Sequence, residues 1–190
     1  MRMFYNGCVA NEVQAPDEVT LRAVIDSDLP ILFEYQRDPE TVRMSAFPAR
    51  QREAFMAHWA KIRADPGVAL RTVLLEGQVA GSIVSWEQDG WPAFGWPGSL
   101  QNAQTPGAPQ THREIGYGVG RQFWGRGIAT RALAAFLQEV TVRPLFGYTA
   151  EHNLASMRVL EKCGFVRAGE TKGVLNVGGE LVTEVIYRLD

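Results

Sequence analysis

Between Arg113 and Thr130 the sequence passes from a two-residue period to a helical one, and few folds accommodate that change. Ile115, Tyr117 and Val119 alternate with Glu114, Gly116 and Gly118, the pattern of a strand. Gly120 to Trp124 reads as loop. A helix follows, with Ile128, Ala132, Leu133, Phe136 and Val140 on one face. Gly125-Arg126-Gly127-Ile128-Ala129 occupies the junction. Small residues there leave backbone N–H groups bare at a helix start, where the first four have no intrahelical partner and the helix dipole adds partial positive charge. That is a seat for a phosphate or pyrophosphate; on this motif alone it is also a tight, close-packed strand-to-helix turn. The chain lacks the Gly-Lys-Ser/Thr of a Walker loop. It also lacks a Gly-x-Gly-x-x-Gly with an acid about twenty residues on, which argues against a dinucleotide fold.

The next segment narrows the choice. Val142 to Ala150 reads as a strand interrupted by Pro144, and Glu151 to Phe165 carries Asn153, Ser156, Arg158-Val159-Leu160-Glu161-Lys162 and Gly164-Phe165. With Phe123-Trp124-Gly125-Arg126-Gly127-Ile128-Ala129-Thr130, this resembles the GCN5-related N-acetyltransferase (GNAT) superfamily. The likeness is strongest to its ribosomal-protein-type branch, which acetylates N-terminal amines of ribosomal proteins, with small-molecule relatives. In that branch the two signatures read roughly Tyr-Trp-Gly-Lys-Gly-x-Ala-Thr and Asn-x-x-Ser-x-Arg-Val-Leu-Glu-Lys-x-Gly-Phe. The resemblance is sharp over Glu114 to Phe165 and looser elsewhere.

Length and composition agree with one domain. The chain has 190 residues, 46% hydrophobic and 21% charged, with net charge −2. That balance gives no reason to expect a nucleic-acid partner. No apolar run spans a bilayer and the N-terminus lacks a signal-peptide core, so the expectation is a cytoplasmic protein with no membrane partner. Cys8 and Cys163 match no metal spacing, and His58, His112 and His152 form no close-spaced cluster, so no metal is expected. Cys163 falls near the apolar face of a helix and reads as a buried thiol.

Taken in order, Met1 to Glu18 is a tail or an extra edge strand, and residues 19–190 form the domain. Val19 to Val24 reads as a strand. Asp26 or Ser27 can cap a helix through Leu29, Leu32, Phe33 and Tyr35, ended by Asp38-Pro39. A second helix follows Pro48, with Phe55, Met56, Trp59 and Ile62 on one face. Leu70 to Leu75 and Val79 to Trp86 are strands joined at Glu76-Gly77-Gln78, a hairpin signal. Glu87 to His112, rich in proline and glycine and carrying Trp91 and Trp96, reads as a long loop insertion where the resembled family has a short turn. Strands near Val166 to Lys172 and Leu181 to Leu189 close the chain. A helix crossover joins parallel neighbours, so the central strand–helix–strand implies a parallel pair inside an otherwise antiparallel sheet. The fold class is α/β: one mixed, mostly antiparallel twisted sheet flanked by helices, its central parallel pair splayed at the cofactor site, as the resemblance also implies.

The resemblance also implies an acetyl-CoA-dependent N-acetyltransferase acting by direct attack in a ternary complex. Its backbone seat for the coenzyme A pyrophosphate is Gly125, Arg126, Gly127, Ile128, Ala129 and Thr130. Arg126 adds charge there or is a solvated loop arginine. Trp124 stands where many members have Gln or Arg, and either covers the cofactor or packs. Tyr117, Gly118 and Val119 would pair with the pantetheine like an added strand, with Gly116, Gly118 and Gly120 permitting a bulge. Asn153 would bond the pantetheine, cap a helix, or both. Much of the superfamily places a leaving-group tyrosine where Leu160 stands, so Ser156, one turn earlier and matching a serine assigned that role in the branch, is the candidate acid; its alternative is an ordinary helix serine. Glu114 is the candidate general base or a strand-edge salt bridge, with Glu87 a second candidate. The acceptor is a small-molecule amine or a protein N-terminus. The alternative function is a non-catalytic acyl-CoA-binding sensor. The 87–112 insertion is expected to fold over the acceptor groove as a lid, against a solvent loop or a homodimer contact.

Overall fold

The computed structural model describes residues 18–45, 48–89, 111–175 and 181–190. Seven strands form one sheet: β1 (Val19–Arg22), β2 (Ala69–Leu75), β3 (Gln78–Asp89), β4 (Thr111–Val119), β5 (Leu145–Ala150), β6 (Val166–Leu175) and β7 (Leu181–Leu189). Their order is β1-β2-β3-β4-β5-β7-β6. Every neighbouring pair is antiparallel except β4–β5, which is parallel as its helical crossover requires. The helices are α1 (Leu29–Arg37), α2 (Pro39–Ser45), α3 (Arg52–Ala64), α4 (Ile128–Glu139) and α5 (Leu154–Lys162).

Two apolar cores follow from the periodicities. Ile128, Ala132, Leu133 and Phe136 of α4 and Leu160 of α5 share one core with Val73, Ile83, Ile115, Leu145 and Val185 of the sheet. Leu29, Leu32 and Phe33 of α1 and Phe55 and Trp59 of α3 form the other with Leu70 and Val79. Neighbouring Leu145 and Phe146 fall into different clusters, as residues on opposite faces of a strand must.

Several elements differ from the sequence reading. Asp38-Pro39 ends α1 but also starts α2, an added helix. The Asp38 carboxylate accepts from the Glu40 and Thr41 amides at 2.9 and 3.1 Å, and Pro39 takes the first helical position. β3 and β4 run further than expected into the 87–112 stretch: Glu87, Gln88 and Asp89 pair with Arg113, His112 and Thr111. Glu114 is therefore the fourth residue of the central strand and not its start. No bulge interrupts β4 against β3; the register shift lies instead between Val73 and Leu74 of β2. Pro144 precedes β5 and does not interrupt it, and β1 stops at Arg22. The expected lid or dimer contact, with Trp91 and Trp96, falls outside the described residues.

Neither Asp26 nor Ser27 caps α1, because Asp28 organises that corner. Its carboxylate is 1% exposed and accepts from Arg22 Nη1 and Nη2 (2.6 and 2.7 Å), Thr72 Oγ1 (2.6 Å) and the Ile25 amide (3.1 Å). Burial alone would push this carboxyl up. The Arg22, Thr72 and Ile25 hydrogen bonds and the Arg22 charge outweigh it and hold the carboxyl at about 2. A depressed acid stabilises the fold above its unfolded pKa, and that contribution fades as pH falls toward the folded value. Asp28→Asn is expected to cost about 2 kcal/mol at neutral pH, from the size of the shift. The gap from wild type in urea titrations should narrow at pH 3; an equal gap at both pH values would show that the carboxylate charge is not what stabilises the corner.

Candidate active site

The β4–β5 ladder is three residues long, Arg113↔Leu145, Glu114↔Phe146 and Ile115↔Gly147, and then stops. Beyond it β4 stays with β3 as far as Val119, while β5 stays with β7 as far as Ala150. A gap opens between them. Gly120 donates its N–H to Ala80 of β3, and the Gly118 carbonyl lies against Gly81, so alternation turns the N–H and C=O of Tyr117 and Val119 toward the gap. Gly118, named with them as a cofactor residue, has its backbone committed to β3. Trp124 takes one gap-facing group: its indole N–H donates to the Val119 carbonyl at 2.7 Å, leaving the ring 38% exposed.

At the end of β4 the chain turns through Gly125 (φ 76°) and Gly127 (φ 69°), both left-handed conformations that favour glycine. Gly127 is the N-cap of α4 and no side chain caps that helix. The first intrahelical bond runs from the Arg131 N–H to the Gly127 carbonyl at 3.1 Å, so the N–H groups of Ile128, Ala129 and Thr130 have no intrahelical partner. Gly125, Arg126 and Gly127 are exposed, while the Ile128 side chain is buried and anchors the helix start, leaving only its backbone for a ligand. The sequence reading missed Arg131. Its Nε and Nη2 are buried with no hydrogen-bond partner, and Nη1 lies 3.8 Å from where a Cβ on Gly127 would stand. The available signal was its position four residues after Gly127, one turn along the helix.

A cavity of about 510 Å³ occupies the gap. On its α5 side, Ser156 Oγ lies 2.9 Å from the Tyr117 hydroxyl, whose one proton can go either to that Oγ or to the Ser156 carbonyl at 3.1 Å. Burial pushes the Tyr117 phenol well above its usual range, and the Ser156 bond opposes this only partly. The sequence reading used Tyr117 for its backbone and did not foresee that its hydroxyl meets Ser156. Leu160 is fully buried in the cavity floor and offers no proton.

The other candidates divide. Glu114 lines the cavity, its Oε1 2.7 Å from Nε2 of the buried His112. Glu87 is exposed, pairs across the ladder with Arg113, and is not among the residues lining the cavity. Glu184 of β7, absent from the sequence reading, lines it. Tyr148 is pushed up by burial and by the Glu114 and Glu184 charges. Cys163 is half-buried, with its thiol toward the Thr130 carbonyl at 3.5 Å and pushed up by burial. Among the described residues no group of three metal-ligating side chains occurs, and no helix is long and apolar enough to cross a membrane.

Asn153 holds two elements at once. Its Oδ1 caps α5 by accepting from the Ser156 amide at 3.0 Å, and its Nδ2 donates to the Met44 carbonyl of α2 at 3.0 Å. Beside it, His152 Nε2 bonds the Arg43 carbonyl at 2.8 Å. Asn153→Ala should cost about 1 kcal/mol, the usual worth of a cap. Asn153→Asp should restore the cap but not the tie to Met44. Melting should therefore separate the two variants, while amide exchange in α2 should be faster in both. Unchanged α2 exchange in Asn153→Asp would remove the tie.

The comparisons agree with this geometry. A family model described as an acetyltransferase (GNAT) domain matches residues 18–166. No curated protein matches the sequence significantly. Among solved structures, a ribosomal-protein-alanine N-acetyltransferase from Brucella melitensis superposes with a TM-score of 0.67 at 20% identity, covering 90% of this chain and 98% of that one. An N-acetyltransferase from Staphylococcus aureus Mu50 gives 0.68 at 18% identity, covering 91% and 98%. An aminoglycoside acetyltransferase in complex with coenzyme A gives 0.63 at 21% identity, covering 89% and 94%. At these identities the likeness is one of fold.

Proposed function

Because the chain belongs to the acetyltransferase (GNAT) domain family, whose members are acetyl-CoA-dependent N-acetyltransferases, we propose that it acetylates a primary amine of a small molecule or a protein N-terminus by direct attack within a ternary complex. We place this reaction in the cytoplasm, a reading supported by its need for acetyl-CoA. One observation carries the proposal: the β4–β5 gap joins an uncapped helix N-terminus at one end to a hydroxyl pair and a carboxylate inside one cavity.

The residues present fit coenzyme A. The free N–H groups of Ile128 to Thr130, with Gly125 and Gly127 keeping side chains away, would hold its pyrophosphate. Arg126 and the orphaned Arg131 guanidinium would add charge. The gap-facing N–H and C=O of Tyr117 and the N–H of Val119, whose carbonyl already accepts from Trp124, would take the pantetheine amides as an added strand, beside Asn153. Bound there, acetyl-CoA supplies an acetyl thioester to the gap.

The chain's own groups then meet two needs. The attacking amine must lose a proton, and Glu114, held by His112 and lining the cavity, would accept it. The sulfur must be stabilised as it leaves, and Ser156 would donate toward it while the Tyr117 hydroxyl donates to the Ser156 Oγ, a role that their 2.9 Å contact supports. This pair would supply what Leu160 cannot, which counts against a non-catalytic sensor.

Gly127→Glu should abolish coenzyme A binding in calorimetry, because a side chain and a negative charge would enter the phosphate seat; unchanged affinity would refute that seat. Ser156→Ala should lower kcat by about 10²-fold, the low end for general-acid help, with little change in acetyl-CoA affinity. Tyr117→Phe should show the same pattern more weakly. Wild-type kcat in both would make the pair structural.

A further inference from the structure

We propose that the acceptor is a diamine or polyamine and that Glu184 holds its second ammonium while Glu114 serves the amine that reacts. This rests on the acetyltransferase reading and narrows it to a substrate class.

Glu184 stands opposite Ala150 at the end of the β5–β7 ladder. It is 8% exposed, it lines the cavity, and no hydrogen bond or ion pair engages it among the described residues. A carboxyl removed from water either keeps its proton or needs a cationic partner, because burying an uncompensated charge costs several kcal/mol in proteins. Burial pushes the Glu184 carboxyl up, and the Glu114 charge adds to this. The chain thus brings two acids to one cavity and gives a partner, His112, to only one of them.

Among the described residues, no Lys or Arg lines the cavity. What the cavity does offer suits an ammonium chain. Trp86 and Tyr148 add aromatic surface, which attracts cations as well as alkyl segments.

Charge balance favours two ammonium groups over one. A monoamine can answer one carboxylate only, and it loses its charge when it becomes an amide. A diamine keeps one charge through the reaction, opposite Glu184. An α-amino acid would bring a third carboxylate into a cavity whose described lining holds no Lys or Arg to meet it.

The test uses the full chain and thiol release from acetyl-CoA. Acceptors are 1-aminobutane, the three- to five-carbon α,ω-diamines, spermidine, glutamate, and a peptide whose N-terminus is its only cation. The best diamine should exceed 1-aminobutane in kcat/KM by about 10- to 100-fold, the worth of a hydrogen bond to a charged group. Glu184→Gln should reduce that ratio to within a few-fold, with coenzyme A affinity and melting profile confirming that the variant folds. Calorimetry of 1,4-diaminobutane into the coenzyme A-loaded chain reads the same anchor without turnover, and Glu184→Gln should weaken it at least about tenfold. Equal treatment of mono- and diamines, a preference for glutamate or the peptide, or a ratio surviving Glu184→Gln overturns the diamine assignment while leaving acetyl transfer intact. Glu184-dependent diamine binding without transfer to any amine overturns the acetyltransferase reading and keeps the anchor.

Discussion

Everything at this site follows from two strands that each keep a better partner. β4 is held to β3 over nine paired positions and β5 to β7 over six, whereas β4 and β5 share three. With most of the hydrogen bonds on the outer sides, the inner pair can part at Ile115 and Gly147 without unravelling the sheet. The parting leaves main-chain donors and acceptors facing a space, and an unpaired strand edge is a template for another extended chain. Alternation then sorts the chemistry. Ile115 and Tyr117 join the α4–α5 core, so Tyr117 meets Ser156 on that side, while Glu114 looks the other way beside Trp86, Tyr148 and Glu184. Nearby positions on one strand thereby present their side chains to opposite faces of the gap.

Asp28 and Glu184 form an internal comparison. Both are buried carboxylates. Asp28 joins β1, β2 and the start of α1 and receives four hydrogen bonds, two of them from one guanidinium, which is how this chain treats an acid whose role is to hold the fold. Glu184 receives none among the described residues and opens onto a cavity. Arg131 repeats the contrast among the cations, buried beneath an uncapped helix start with two unmatched nitrogens. Groups left unsatisfied beside a cavity or a bare helix end lower stability, and natural sequences keep such costs mainly where a ligand repays them.

What the sequence made legible was local. The Gly125–Gly127 turn, the apolar face of α4, the Asn153 cap and the Glu76–Gly77 hairpin each depend on residues a few positions apart. Asp38-Pro39-Glu40 was equally local; it was read as a stop and missed as a start because the same pair can do both. The Tyr117–Ser156 hydroxyl contact and Glu184 were out of reach for a different reason. They join residues 39 and 70 positions apart (117 to 156, 114 to 184), and only the strand order β4-β5-β7 brings them to one space. A period-two pattern says that Glu184 faces one side of its strand, but not that a gap lies on that side.

α2 is the element that the sequence reading left out and that the site most needs. Its carbonyls at Arg43 and Met44 accept from His152 and Asn153, in the turn that begins α5, so one asparagine both starts the Ser156 helix and holds a wall of the cavity. Met44 and Ser45 line that cavity directly. α2 buries no residue of its own, so it lacks the apolar anchoring that fixes α1 and α3, and polar ties to the β5–α5 turn take its place. A wall held this way can shift without disturbing either core. Its movement would be felt at Asn153, and through the Ser156 amide at the hydroxyl pair. The α2 wall and the helix that carries Ser156 are in this way mechanically joined, most directly through Asn153.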